Sequence, residues 1–123
     1  MKFSKYVFSI AGIYGIIVLL PQYFMETKNG LDHPPAINHP EYYYGFIGVA
    51  LAWQFVFLII ARAPEKFRSL MIPAIFENAG FGLPAIFLYF ADRLAFEMLF
   101  AGLIDLVLGV LFITAFFKVK SSA

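Results

Sequence analysis

Two carboxylic acids inside long apolar stretches are the residues of this sequence best suited to chemistry. Glu77 and Asp105 each lie within more than 20 residues that contain no Lys or Arg. Acidic side chains are costly in a bilayer and often mark ion, proton or ligand sites there. At about 1.5 Å per helical residue, Glu77 and Asp105 fall on opposite sides of the mid-plane, with Gln54 near the level of Glu77 and Tyr14 near the middle.

Two interpretations of these four residues remain open from the sequence. In the first, Glu77 hydrogen-bonds Gln54, and Asp105 hydrogen-bonds Tyr14 or a helix carbonyl, so that all four only hold helices together. In the second, Tyr14, Gln54, Glu77 and Asp105 line a polar pocket. That pocket would couple to protons or cations, orient a hydrophobic ligand, or use its paired acids as proton donor and acceptor.

A second group of polar residues lies in a proline-rich stretch, DHPPAINHPEYYYG, at residues 32–45. It contains Asp32, His33, His39 and Glu41, and imidazole together with carboxylate can bind zinc or a similar ion. The spacing matches no defined metal motif. The alternative is that the histidines are interfacial polar residues and that Glu41 stabilises the start of the following helix.

Composition excludes several functional classes. The 123 residues are 62% hydrophobic and only 14% charged, which predicts a membrane protein. There is no cysteine, so disulfides and thiolate metal sites are excluded, and a net charge of +1 argues against a nucleic-acid surface. No nucleotide-binding or catalytic motif is present, so the sequence predicts no catalytic residue and no cofactor.

Four apolar stretches are each long enough to cross a bilayer. They cover about residues 6–24, 42–63, 69–90 and 94–117, and residues 26–41 form a predicted outer loop. We therefore expect residues 1–123 to form a single transmembrane domain. The predicted fold is an all-α, antiparallel bundle of four transmembrane helices.

The distribution of basic residues predicts the orientation, because cytoplasmic loops are enriched in Lys and Arg. One side would carry most of them: Lys2, Lys5, Arg62, Lys66, Arg68, Lys118 and Lys120. The other side would carry only Lys28 and Arg93. We expect both termini to be cytoplasmic and residues 32–45 to face the periplasm or the extracellular space, in a multi-pass protein of the inner (plasma) membrane.

Small residues predict where the helices approach closely. Large apolar side chains gain little by leaving lipid, so helix association depends on close backbone contact at small residues. The expected packing positions are Gly12, Gly15, Gly45, Gly48, Ala52, Gly102 and Gly109. The bilayer is the first expected partner. The same glycine-rich faces could serve a protein partner or a homo-oligomer.

Three segments carry a resemblance: HPEYYYGFIGVALAWQ, ARAPEKFR and LMIPAIFE, at residues 39–54, 61–68 and 70–77. In these the chain resembles small bacterial four-helix membrane proteins of unknown function, and its architecture is distantly similar to the DoxX-like group. The resemblance implies a bacterial inner-membrane protein and supplies no catalytic residue.

The functional hypothesis from the sequence is a non-enzymatic accessory or scaffold subunit of a membrane complex. Its support is the absence of catalytic motifs and the small extramembrane portion. The alternative is a small binding protein, enzyme or proton-coupled carrier that uses the pocket around Glu77 and Asp105 for a hydrophobic molecule.

Overall fold

The structure is a computed structural model that describes residues 2–119, and regular secondary structure in this range is entirely helical. The helices are α1 (Lys2–Leu19), α2 (Glu26–Asp32), α3 (Pro40–Arg62), α4 (Met71–Phe90) and α5 (Phe96–Lys118). Short 3₁₀ turns at Leu20–Phe24 and Arg68–Leu70 extend α1 and precede α4.

Four helical segments are long and apolar enough to cross a membrane, as the sequence predicts. They are Lys2–Phe24, Pro40–Arg62, Arg68–Phe90 and Phe96–Lys118, each of 23 residues. A helix of this length spans about 35 Å, which exceeds a hydrocarbon core of about 30 Å. The chain is therefore a multi-pass membrane protein with four membrane-crossing segments in its described part.

The predicted outer loop contains a helix that the sequence interpretation missed. Helix α2 occupies seven residues, and Lys28 donates a hydrogen bond to Asp32 one turn later at 2.6 Å. Such pairs four residues apart support short helices, and Glu26 lies in the first turn where negative charge is favourable. The prolines at 34 and 35 cannot continue the helix.

Helix α3 begins two residues earlier than predicted. Pro40 occupies the first turn, where its fixed φ suits a helix and its missing N–H leaves no bond unmade. Glu41 lies in the same turn and Arg62 in the last one, so both charges complement the helix dipole.

Helix α4 ends in a tight motif that reverses the chain toward α5. The amide of Arg93 donates to the carbonyl of Leu88 at 2.8 Å, and the amide of Asp92 donates to that of Tyr89 at 3.0 Å. Asp92 has φ of 58°, the left-handed conformation that this hydrogen-bond pattern requires.

Three phenylalanines join the helices in the largest buried cluster, which we call the aromatic core. Phe8 of α1 stacks on Phe112 of α5 with ring centroids 4.1 Å apart, and Phe57 of α3 meets Phe112 edge-on at 4.9 Å. All three rings are fully buried. The ends of α1, α3, α4 and α5 that surround this core therefore lie at one end of the molecule.

Glycines bring the helices together in two closely packed pairs. In the α1–α3 pair, Gly12 lies against Leu58 and the backbone carbonyl of Gln54. In the α4–α5 pair, a Cβ placed on Gly102 would lie 2.7 Å from Ala85 Cβ and 3.6 Å from Gly82 Cα. Backbones can approach this closely only where side chains are absent or very small.

Two of the predicted packing positions do not pack against another helix. Gly45 and Ala52 are exposed, and nothing outside its own helix lies within 4 Å of a Cβ placed on Gly45. The buried face of α3 instead runs through Ile47, Gln54 and Phe57. Between those faces, a Cβ placed on Gly48 would lie 3.3 Å from the hydroxyl oxygen of Tyr23.

Candidate intramembrane polar site

Asp105 relates to two of the other predicted pocket residues, which lie on two different helices. Asp105 of α5 lies close enough to Glu77 of α4 and to Tyr14 of α1 to interact with both electrostatically. All three side chains are half-buried, although the Oε2 atom of Glu77 is itself enclosed. Within the apolar spans, Asp105 is therefore the residue in electrostatic range of both Glu77 and Tyr14.

The acids are not held by the hydrogen bonds that the first interpretation of the sequence required. In the described part of the chain, no hydrogen bond was found between Glu77 and Gln54 or between Asp105 and Tyr14, and Glu77 Oε2 is enclosed without any partner. A buried polar atom without a partner loses about 1–3 kcal/mol of solvation free energy. The pair therefore has unused capacity to bind a donor.

Gln54 belongs to a different contact. Its Nε2 donates to the carbonyl of Ala50 at 2.8 Å within α3, and its side chain lies directly against Gly15 of α1. Gln54 is 7% exposed. Gln54 therefore fills the α1–α3 interface, and its Nε2 bonds its own helix instead of Glu77.

The acids lie above the aromatic core along the helix axes. Asp105 precedes Phe112 by seven residues and Tyr14 follows Phe8 by six, so each lies about 10 Å from its phenylalanine at 1.5 Å per residue. The fully buried rings pack closely together. Asp105 and Tyr14 therefore lie deeper in the apolar spans than the aromatic core.

The charge environment of the two acids is entirely anionic or neutral within the spans. Residues 69–92 and 94–117, which include Glu77 and Asp105, contain no Lys or Arg, and neither do residues 6–27 or 42–61. Two acids within electrostatic range of each other and without a cation attract a positively charged group. A protonated amine on an apolar molecule has both the charge and the solubility that this environment suits.

A further buried polar residue was not identified as part of the site from the sequence. Asn78 is 2% exposed, its Nδ2 has no hydrogen-bond partner in the described residues, and its Cβ lies near Gly109 of α5. It belongs to a stripe of small residues on α4, at positions 74, 78, 82 and 85, that faces α5. The spacing of four, four and three residues between these positions is the sequence pattern that could have indicated this stripe.

The residues of the metal hypothesis are not gathered around one point. His39 Nδ1 lies 3.1 Å from Glu41 Oε1, whereas Asp32 pairs with Lys28, whose hydrogen bond lowers the pKa of Asp32. Among residues 2–119, no group of three or more His, Cys, Asp or Glu side chains is placed to hold one ion. His33 lies at the end of α2 and is exposed.

A polar network at the end of the molecule that carries Asp32 and His39 holds α2 between α1 and α3. Asn29 donates from Nδ2 to Gln22 Oε1 and to the Tyr43 hydroxyl, both at 2.8 Å. Tyr43 in turn donates to the Gln22 carbonyl, and Tyr44 donates to Glu26 Oε1 at 2.9 Å. Tyr43 and Tyr44 of α3 therefore tie this helix to the end of α1 and to α2.

Comparison with known protein families, curated proteins and solved structures found no match to this chain.

Proposed function

We propose that this protein binds a hydrophobic molecule with a protonatable, amine-like group inside the membrane, at Glu77, Asp105 and Tyr14. The observation that carries the proposal is the electrostatic grouping of two half-buried acids whose spans supply no cation. The apolar part of the ligand would lie among the helices, and its cationic group would neutralise the acids.

The enclosed Glu77 oxygen supports binding over a purely structural role. Polar residues that only hold membrane helices together form hydrogen bonds within the protein, as Gln54 does with the Ala50 carbonyl of its own helix. Glu77 Oε2 has no partner in the described residues, so a ligand N–H would make a hydrogen bond there without displacing an existing one. Tyr14 would orient the ligand through its hydroxyl.

The proposal includes an antiparallel bundle with both termini in the cytoplasm of a bacterial cell. Gly12 pairs with Leu58 while Tyr23, farther along α1, pairs with Gly48, earlier in α3, and this order supports opposite directions for the two helices. The positive-inside distribution supports cytoplasmic termini. On this orientation the aromatic core lies toward the cytoplasm, and the ligand reaches the acids from the bilayer or the outer side.

The proposal is tested by titrating the reconstituted protein with a fluorescent tertiary amine that carries an alkyl tail. Loss of a charged hydrogen bond is worth about 1.5–3 kcal/mol, so Glu77→Gln and Asp105→Asn should each weaken binding about 10-fold or more. Glu97→Gln is the matched control, because Glu97 is an exposed acid in the first turn of α5. Equal affinity of the wild type and the Glu77→Gln/Asp105→Asn double variant would reject the proposed ligand site.

A role as an accessory subunit is the second candidate, favoured by the uncovered positions on α3. Gly45 and Ala52 are exposed and leave the backbone of α3 open to a helix from another chain. If a stoichiometric partner copurifies, Ala52→Phe should release it, whereas Val107→Phe on the exposed face of α5 should not. Retention of the partner by Ala52→Phe would exclude this face as its contact.

A further inference from the structure

Charge is divided unequally between the two ends of the molecule. The end next to the aromatic core, which we call the basic end, carries Lys2, Lys5, Arg62, Lys66, Arg68 and Lys118. Glu65 is the only acidic side chain among the described residues of this end. The opposite end carries two cations, Lys28 and Arg93, against five acids: Glu26, Asp32, Glu41, Asp92 and Glu97.

Two cations of the basic end are held against aromatic rings. The guanidinium carbon of Arg68 lies 3.7 Å from the centroid of the Phe116 ring, and its Nε donates to the Phe116 carbonyl at 3.0 Å. Lys118 Nζ lies 4.5 Å from the centroid of the Phe3 ring. These contacts join the start of α4 to the end of α5, and the end of α5 to the start of α1.

We propose that the basic end is a binding site for anionic phospholipids, with Arg68 as its central cation. The fixed Arg68 loses little side-chain freedom on binding, and its planar guanidinium fork matches the oxygens of a phosphate. The basic residues lie at the ends of the apolar segments, the depth at which a lipid presents its phosphate. Lys118 and Arg62 lie at the same end of the molecule and would add charge for a headgroup that bears more than one phosphate.

A lipid fits this surface better than free phosphate because exposed apolar side chains occupy the last turns of α5 next to the basic end. Phe117 is 77% exposed and Ile113 is 42% exposed, one turn farther into the span. Both are placed to contact acyl chains while the headgroup contacts the cations. The site is independent of the ligand proposed for Glu77 and Asp105.

Native mass spectrometry of the purified protein, after equilibration with equal amounts of phosphatidylglycerol and phosphatidylcholine, tests this site. The wild type should retain phosphatidylglycerol selectively. Each cation near the membrane surface contributes about fivefold to the affinity for an anionic lipid. The Arg62→Gln/Arg68→Gln variant should therefore show a selectivity about 25-fold lower than that of the wild type. Lys28→Gln/Arg93→Gln removes the same charge from the opposite end and should retain the wild-type preference. Arg68→Lys keeps the charge without the fork and should fall between them.

Two results would overturn the proposal. One is equal loss of selectivity in the two double variants, which would indicate a response to net charge alone. The other is displacement of the bound lipid by millimolar inorganic phosphate, which would indicate a phosphate site. If Arg62→Gln/Arg68→Gln does not fold, the wild type decides: phosphatidylglycerol should raise its melting temperature more than phosphatidylcholine, and 0.5 M salt should abolish the difference. An equal melting temperature in both lipids would then reject the site.

Discussion

Phe8 and Phe112 stack with their ring centroids 4.1 Å apart and thereby join α1 of one helix pair to α5 of the other. Phe57 closes the cluster from α3, so a single aromatic contact region connects three of the four membrane segments. We expect Phe8→Ala to leave a cavity that lipid cannot fill, lowering the free energy of unfolding by about 3 kcal/mol.

Unfolding in mixed detergent micelles measures this effect. Phe117→Ala is the control, because Phe117 is 77% exposed on α5 and should change the unfolding free energy little. Equal effects of the two substitutions would mean that the aromatic core does not hold the helix pairs together.

The contact between Gly102 and Ala85 makes a second stability prediction. A methyl group at residue 102 would lie 2.7 Å from Ala85 Cβ, so Gly102→Ala must push α4 and α5 apart. We expect this substitution to lower the free energy of unfolding by about 1–3 kcal/mol. Gly80→Ala is the matched control on α4, where nothing outside the helix lies within 4 Å, and it should be neutral or stabilising. Adding Ala85→Gly should recover most of the loss. A lack of recovery would contradict the assigned contact.

Gly15 and Gln54 give the corresponding prediction for the α1–α3 pair. Gly15→Ala would force the Gln54 side chain away and break its hydrogen bond to the Ala50 carbonyl. The free energy of unfolding should fall by about 1–3 kcal/mol, because a buried amide is left without its hydrogen-bond partner. Gly45→Ala, at an exposed position, should not destabilise. The coupling energy between Gly15→Ala and Gln54→Ala, measured in a double-mutant cycle, should be clearly non-zero; a value near zero would rule the contact out.

The turn after α4 predicts a stabilising substitution. Asp92 has φ of 58°, which costs an L-residue about 1 kcal/mol and a glycine almost nothing. Asp92→Gly should therefore raise the unfolding free energy by up to about 1 kcal/mol, while Asp92→Val should lower it. Thermal unfolding of the two variants in parallel provides the measurement, and a lower stability for Asp92→Gly than for Asp92→Val would contradict the left-handed assignment.

Hydropathy alone could predict the number of membrane segments because each is long, apolar and bounded by charge or proline. It could not predict which face of each helix is buried, because lipid-facing and buried faces are equally apolar in a bilayer. This is why Gly45 and Ala52 were assigned to a packing face although they are exposed. Gly82 was not among the predicted packing positions for the same reason, although it lies in close contact with Gly102.

The polar site could be predicted in part. Glu77, Asp105 and Tyr14 were identified because polar groups in apolar spans are rare and costly. The local bond of Gln54 to Ala50 could not be predicted, because a side-chain amide can bond its own helix as readily as a neighbouring one. Helix α2 was missed because Asn29-Gly30 and the prolines that follow at 34 and 35 indicate a loop, whereas contacts to Gln22 and Tyr43 stabilise the helix.

Protection of the acids from chemical modification tests the proposed ligand site most directly. A hydrophobic carbodiimide reacts with carboxyl groups inside the bilayer, and mass spectrometry locates the product on Glu77 or Asp105. We predict that a saturating alkyl-tailed tertiary amine slows this reaction about tenfold, and that an uncharged ether of the same shape does not. Modification of both acids at an unchanged rate in the presence of the amine would contradict the proposed binding site.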